Sequence, residues 1–314
     1  MTGGELAIGV DMGATKIAVV LADRAGAILA EERLPTLPGG GPASVMDRMA
    51  QAIRAVMAQA PGPVAGVGIG SPGRVDPTAG TVSAAANLGW DVVDLAGGIA
   101  QRLDNGLPVR IAKDANAEIL GEVFFGAAQG ERDCVYLGIG SGLGGGIVSD
   151  GRLVIGAHHT GGEIGHLVLD PDGRACACGQ HGCAETVLSG PGLMATAREL
   201  AAGGQFSTAL PVNGELSVGQ ILAAAQAGDA LALAAVAEMG RWLGMALAVN
   251  VALLDPALIV IGGGTGRTAF DQIVPLARRE LARRVLPGAA DRLAIRPSRL
   301  ASSALGAACL VWQI

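Results

Sequence analysis

Leu6-Ala-Ile-Gly-Val10-Asp11-Met-Gly-Ala-Thr-Lys16-Ile-Ala-Val-Val-Leu21 decides the fold. Leu6 to Val10 reads as a buried strand, Asp11 to Lys16 as a tight turn, and Ile17 to Leu21 as a second strand running back. A third strand is expected at Ala27 to Arg33, after the turn Asp23-Arg-Ala-Gly26. The grammar recurs in the second half: Cys134 to Ile139 reads as a strand, Gly140-Ser-Gly-Leu-Gly-Gly-Gly146 as a glycine turn, and Ile147 onward as the return strand. In a dinucleotide-binding fold the glycine turn would open a helix. Here it joins two antiparallel strands, once in each half, which implies a duplicated α/β fold closing on one nucleotide.

Farther along, Pro38 to Pro42 reads as loop, and Ala43 to Gln59 has helical spacing with Val45, Met49, Ile53 and Val56 on one face. Val64 to Ile69 and Val109 to Lys113 are strands, the second feeding a helix that begins near Asn116. A long alanine-rich helix is expected at Ala230 to Leu254, then a strand at Leu258 to Ile261 and the run Gly262-Gly-Gly264. A chain of 314 residues is long enough for two domains. No segment reads as membrane-spanning, since the most apolar stretch, Leu243 to Leu254, is interrupted by Asn250 and suits a buried helix. A net charge of −6 gives no broad attraction to nucleic acid or an anionic membrane. There is no signal peptide and the cysteines number five, an odd count, which implies a reducing, cytoplasmic setting. Cys134 and Cys309 stand alone in apolar runs and read as buried small hydrophobes.

Chemistry concentrates at a few places. Backbone N–H groups in glycine turns form anion-binding concavities, and two such turns together favour phosphate, although either alone reads equally as an ordinary hairpin. Asp11 adds a carboxylate able to hold hydrated Mg2+, Thr15 and Ser141 add hydroxyls, and Lys16 adds a mobile charge. Lys16 and Lys113 are the chain's only lysines, and both fall inside candidate motifs. In Lys113-Asp-Ala-Asn-Ala-Glu118, Asp114 reads either as a helix cap or as a general base for a substrate hydroxyl. The knuckle Cys176-Ala-Cys178-Gly-Gln-His-Gly-Cys183-Ala-Glu185 places three thiols where they can wrap one soft cation. Gly161-Gly-Glu-Ile-Gly-His166 offers His166 as the fourth ligand, with His181 as the rival. Glu163, His166 and Glu185 together suit a polyol, because fixed carboxylates accept hydrogen bonds from sugar hydroxyls. Zinc on His166 would brace that surface, so its removal should weaken sugar affinity more than ATP affinity.

These motifs, in this order and over nearly the whole chain, resemble the ROK family of sugar kinases and sugar-responsive repressors, in the hexokinase/actin-like ATPase superfamily. Asp11-Met-Gly-Ala-Thr-Lys16 resembles the family's first phosphate motif, Gly140 to Gly146 its second, and Asp255-Pro-Ala-Leu-Ile-Val-Ile-Gly-Gly-Gly264 its adenosine motif. The His166 segment and the cysteine knuckle resemble its own signature. The resemblance implies two α/β domains of the actin-like ATPase (ribonuclease H-like) fold, with an interdomain cleft and a structural zinc knuckle. One domain would run over 1–118 plus 300–314, and the other over 119–299, carrying the zinc and adenosine motifs. It also implies zinc on His166, Cys176, Cys178 and Cys183, and Asp114 as base. Sugar hydroxyls would meet Asn87, Asp114, Glu163, His166 and Glu185. Mg2+–ATP would lie on Asp11, Gly13, Thr15, Lys16, Gly140, Ser141, Gly142, Gly262, Gly263 and Gly264.

The activity implied is ATP-dependent phosphorylation of a hexose, glucose to glucose 6-phosphate, by a cytoplasmic homodimer with no nucleic-acid or membrane partner. Kinases for N-acetylmannosamine, N-acetylglucosamine, fructose or allose are the alternatives, as is polyphosphate for the donor. From other classes come a non-catalytic sugar-responsive regulator and a catalytically weak sugar-binding protein. No helix-turn-helix precedes the first motif, at residue 11, which argues against the regulator. Three positions depart from the family pattern: Ala14 for glycine, Ser141 for threonine, and Lys113 for the asparagine before the catalytic aspartate.

Overall fold

The computed structural model describes residues 6–85 and 88–312. The chain divides into two compact units, one of Met1–Gly130, Leu153–Gly161 and Arg299–Ile314, the other of Glu131–Arg152 and Gly162–Ser298.

The first unit begins with strands β1 (Leu6–Met12), β2 (Lys16–Ala22) and β3 (Ile28–Pro35), then helix α1 (Gly41–Met57) and strand β4 (Val64–Ser71). A small antiparallel sheet, β5 (Arg74–Asp76), β6 (Thr81–Ala85) and β7 (Trp90–Asp94), leads into α2 (Leu95–Leu103), β8 (Val109–Lys113) and α3 (Asp114–Phe125). The main sheet has the order β3-β2-β1-β4-β8, with β1 to β3 antiparallel and β4 and β8 parallel to β1. Side chains alternate across β1. Leu6, Ile8, Val10 and Met12 enter a core with α1 and α2, while Ala7 belongs to a second core on the opposite face. The α1 positions Val45, Met49, Ile53 and Val56 are all buried, as their spacing predicts.

In the second unit, β9 (Cys134–Ile139) and β10 (Leu143–Ser149) come first, and β11 (Arg152–Leu153) ends with Leu153, which groups with the first unit. Then follow α4 (Gly190–Ala202), α5 (Val218–Gln226), α6 (Ala230–Leu254), β12 (Leu258–Gly262), α7 (Gly264–Ala282), α8 (Ala289–Arg292) and β13 (Ala294–Pro297). The sheet order is β11-β10-β9-β12-β13, with β9 and β10 antiparallel and β12 parallel to both β9 and β13. In each unit the third, second and first strands of a returning chain are followed by two parallel strands. The duplication read from the two hairpins is therefore a duplication of topology. Helix α6 is long and apolar enough to span a bilayer by composition, but it packs on α4, α5 and α7 with 56% of its most apolar window buried, as a core helix does.

The chain ends in α9 (Ser303–Trp312), which lies across the first unit's sheet. Its close approach needs small residues beneath it: a methyl on Gly9 of β1 or Gly68 of β4 would collide with the backbone of Ala304 or Ala307. Glu122 of α3, fully buried, ties down the segment before α9 by accepting from the N–H groups of Leu300 (3.2 Å) and Arg299 (3.3 Å) and from Ala127 (2.6 Å).

Three local expectations need correction. The helix predicted from Ala43 starts at Gly41, because Pro42 fits a first helical turn, where its missing N–H costs nothing. The helix predicted near Asn116 starts at Asp114, directly after the strand. Gly144 to Gly146 are strand rather than turn: they pair with Gly138 to Tyr136, so the second turn shrinks to Gly140-Ser141-Gly142.

Candidate functional site

In the first unit the hairpin β1–β2 closes through Gly13 N–H donating to Lys16 O at 2.9 Å. Thr36, fully buried just past β3, donates from Oγ1 to Gly13 O (2.6 Å) and from its N–H to Thr15 O (3.0 Å). Thr15 and Lys16 are exposed at the tip. Ala14 packs its methyl against the core of α1 and is not among the non-glycine residues with positive φ, so this backbone accepts a side chain without strain. Asp11 sits at the end of β1, and period two puts it on the Ala7 and Gly9 face. Burial pushes its carboxyl up to about 6; Asp114 adds to the rise and Lys16 opposes it. Asp114 is the first residue of α3, following Lys113 at the cap position, and its Oδ1 accepts from Ala115 N–H at 2.6 Å. The unit thus brings two carboxylates, an exposed lysine and a glycine turn together. Asn87 lies outside the described residues.

The second unit assembles its own set around Gly140-Ser141-Gly142. Gly140 N–H donates to Gly142 O (2.9 Å), and Gly140 O accepts from Gly190 N–H (2.8 Å) at the start of α4. That start is a capped helix terminus, with Ser189 Oγ accepting from Gly192 N–H and Pro191 in the first turn. A methyl on Gly190 would reach Thr265 Oγ1, in the first turn of α7. Two helix N-termini therefore converge beside the turn, each bringing the positive end of a helix dipole, while at α4 the first-turn N–H groups are already taken by Gly140 O and Ser189. The glycines divide into two kinds. Gly262 and Gly263 are demanded by packing, because a methyl would strike the Tyr136 ring or the Ile139 backbone. Gly140 and Gly264 have open space where a side chain would stand and no positive φ. Among the described residues no neighbour requires glycine at those two positions.

The knuckle lies in the same unit. His166 closes a 3-10 turn (Ile164–His166) whose preceding residue is Glu163. The ligand atoms of His166, Cys176, Cys178 and Cys183 all lie within 4.8 Å of one another; His181 is not in this group. Cys178 Sγ is 3.7 Å from Cys183 Sγ, and Cys176 Sγ is 3.9 Å from His166 Nδ1. Sulfurs bound at about 2.3 Å in a tetrahedron stand ~3.8 Å apart, whereas a disulfide needs about 2.05 Å. The four residues thus fit a closed zinc site. Backbone pairing shapes the loop: Cys176 N–H donates to Gln180 O and Gly182 N–H to Arg174 O, each at 2.8 Å. Burial pushes the Cys183 thiol up to about 12 and raises Cys176, while the Gln180 N–H lowers exposed Cys178. A soft cation would overturn that order by binding thiolates.

Glu185 connects knuckle and turn. Its Oε1 lies 3.7 Å from Cys176 Sγ, and its Oε2 accepts from Leu143 N–H at 3.1 Å, one residue past Gly142. Arg174 then clamps the knuckle to α4: it donates to Thr186 O (2.8 Å), to Thr196 Oγ1 (2.9 Å) and to both Glu199 oxygens, and this pairing holds Glu199 below the usual carboxylate range. Thr36, Arg174 and the Ser189 cap are supports that the sequence reading missed. Ser189-Gly-Pro-Gly192 is a legible helix start, a cap followed by proline. Thr36 and Arg174 carry no local signal, because their partners are distant in sequence.

Comparison with known proteins places the chain among sugar kinases and regulators of one family. The chain is 33% identical over 315 residues to a glucokinase of Halalkalibacterium halodurans, covering 98% of this chain and 94% of that protein. It is 34% identical, with a TM-score of 0.79, to a ROK family glucokinase from Streptomyces griseus solved with glucose and AMPPNP, covering 97% and 98% of the two chains. It is 29% identical, with a TM-score of 0.87, to a ROK family transcriptional regulator homologous to the Escherichia coli MLC protein, covering 98% of this chain and 78% of that one. The ROK family model matches residues 7–314, and the chain belongs to the ROK family.

Proposed function

We propose that the protein is an ATP-dependent hexose kinase of the glucokinase type, transferring a phosphoryl group to the 6-hydroxyl of glucose. The observation that carries this reading is Asp114 at the head of α3, beside the half-buried Asp11 and the first glycine turn. A carboxylate held at the first helical position can take the proton of an attacking hydroxyl, and phosphoryl transfer asks little else of the protein beyond positioning and charge stabilisation. Glu163, His166 and Glu185 would accept from or orient the sugar hydroxyls. Phosphates would rest on the N–H groups of the Gly13 and Gly140 turns with Lys16 nearby, and adenosine against Gly262 to Gly264. Mg2+, when bound through Asp11 and its waters, would neutralise charge on the phosphates. Zinc on His166 and the three thiols would supply no chemistry beyond holding the loops. We expect a homodimer.

The test is a coupled assay with ATP and a panel comprising glucose, mannose, fructose, allose and the two N-acetylhexosamines. Glucose should give the highest kcat/KM, and Asp114→Ala should lower kcat by about 10²–10⁴ while sugar binding persists. Binding of several sugars with turnover of none would remove the kinase reading. It would leave a sugar-responsive regulator, the reading favoured by the structural likeness to the MLC homologue.

A further inference from the structure

We propose that Lys113 is a positioning residue which, through the carbonyl of Gly161, fixes the approach to Glu163. The proposal rests on the reading of Glu163 as a sugar acceptor. Leu153–Gly161 groups with the first unit, although its sequence neighbours on both sides belong to the second. It closes on itself, with Gly161 N–H donating to Ile155 O (3.0 Å) and His159 N–H to Gly156 O (3.4 Å). Its turns use the left-handed region at Gly156 (φ 73) and, unusually for a residue with a side chain, at His159 (φ 59).

Among the described residues three polar side-chain contacts hold this strap, and Leu153 at its start packs against the core beneath α9. Arg74 Nη2 donates to His158 O at 3.2 Å, and His159 Nε2 lies 3.3 Å from Asp76 Oδ1; Arg74 and Asp76 are both in β5. The third is Lys113, at the end of β8, whose Nζ donates to Gly161 O at 3.5 Å. Arg74 and Asp76 hold the strap's middle, and Lys113 holds its exit. The chain reaches Glu163 two residues after that exit, and Lys113 itself precedes Asp114. One ammonium therefore sets the backbone next to the sugar acceptor from the residue next to the proposed base. Only a long side chain with a terminal donor can make this contact, and this is one of the chain's two lysines. The acceptor is a neutral carbonyl, so the contact needs a donor more than it needs charge.

The variants are Lys113→Met, which keeps the stem and removes the donor, and Lys113→Arg, which keeps a terminal donor on a long stem. Hydrogen exchange of the full ligand-free chain reads the strap directly. Lys113→Met should speed exchange across residues 156–163 about tenfold, with Arg close to the parent, since one charge-assisted hydrogen bond is lost. In the kinase assay Lys113→Met should raise the sugar KM about tenfold, with kcat within about threefold, the ATP KM unchanged, and Arg restoring most of the loss. Unchanged exchange in Lys113→Met, or an Arg variant as defective as Met, would overturn the proposal, as would a fall in kcat without a change in sugar KM. Absence of turnover in the parent would instead refute the kinase reading, and the exchange comparison would still decide whether Lys113 holds the strap.

Discussion

Asp11→Asn should make the protein more stable at alkaline pH while disabling it. The carboxyl is pushed up to about 6 from an ordinary aspartate value of 3.8, by burial first and by Asp114 second. A carboxylic acid whose midpoint is higher in the folded state binds more protons folded than unfolded. Stability therefore falls as pH rises between the two midpoints and stays low above the upper one. The displacement corresponds to about 3 kcal/mol of destabilisation above pH 6, as an order of magnitude. Asparagine has no charge to desolvate, so the variant should escape this cost. Calorimetric melting without nucleotide or Mg2+ should place the first unit's transition about 6–12 °C higher for Asp11→Asn than for the parent at pH 8. The gap should close as pH falls through 6 toward 4. Repeated in an Asp114→Asn background, the gap should narrow, because the second cause of the raised midpoint is gone. Activity should be lost in the variant, and the parent's kcat/KM for Mg2+–ATP should decline below about pH 6 as the carboxylate protonates. A variant no more stable than the parent at pH 8, or a gap independent of pH, would show that Lys16 neutralises the burial cost.

The remaining expectations concern the second unit. Gly140→Ala and Gly264→Ala should each keep or raise stability, by up to about 1 kcal/mol, because the space is open and the unfolded chain loses freedom. Each should raise the nucleotide KM about tenfold, and unchanged kinetics would mean that no ligand approaches those positions closely. Chelation, or Cys178→Ser with zinc content measured by atomic emission, should weaken both sugar and nucleotide binding, and Glu185→Ala should reproduce the double loss with zinc retained. A loss confined to the sugar would show that Glu185 transmits nothing to the glycine turn.

The elements that were legible in the sequence are those whose pattern is local. Apolar runs broken by glycine turns mark both hairpins, and α6 begins and ends where its alanine-rich stretch does. The β5–β7 sheet, α2, α4 and α5 escaped assignment: β5 to β7 are strands of three to five residues, whereas α4 and α5 begin at caps, Ser189 and Ser217, that a local reading could have found. Gly144 to Gly146 were misread for a physical reason: glycine is a poor strand former on its own. Here the run lies on β10, where a methyl on Gly145 would strike Gly162 O and Ile164, so strand pairing and close packing override local preference.

The knuckle was visible as a possible metal site from its cysteine spacing, and the geometry gathers the three thiols with His166 rather than His181. What no sequence pattern could show is the second bond of Glu185. Counted from the last thiol, Glu185 looks like a residue facing outward to a sugar. In the structure its two oxygens are divided between Cys176 and the N–H of Leu143, so the knuckle and the glycine turn share one carboxylate. A carboxylate spanning two loops moves only if both move. With Cys176 as a thiol, Glu185 thereby links one member of the Cys/His cluster to the backbone of the Gly140-Ser141-Gly142 turn. Sugar and nucleotide affinities of the metal-free protein, compared with those of Glu185→Ala, therefore decide whether metal loss falls mainly on the sugar or on both ligands.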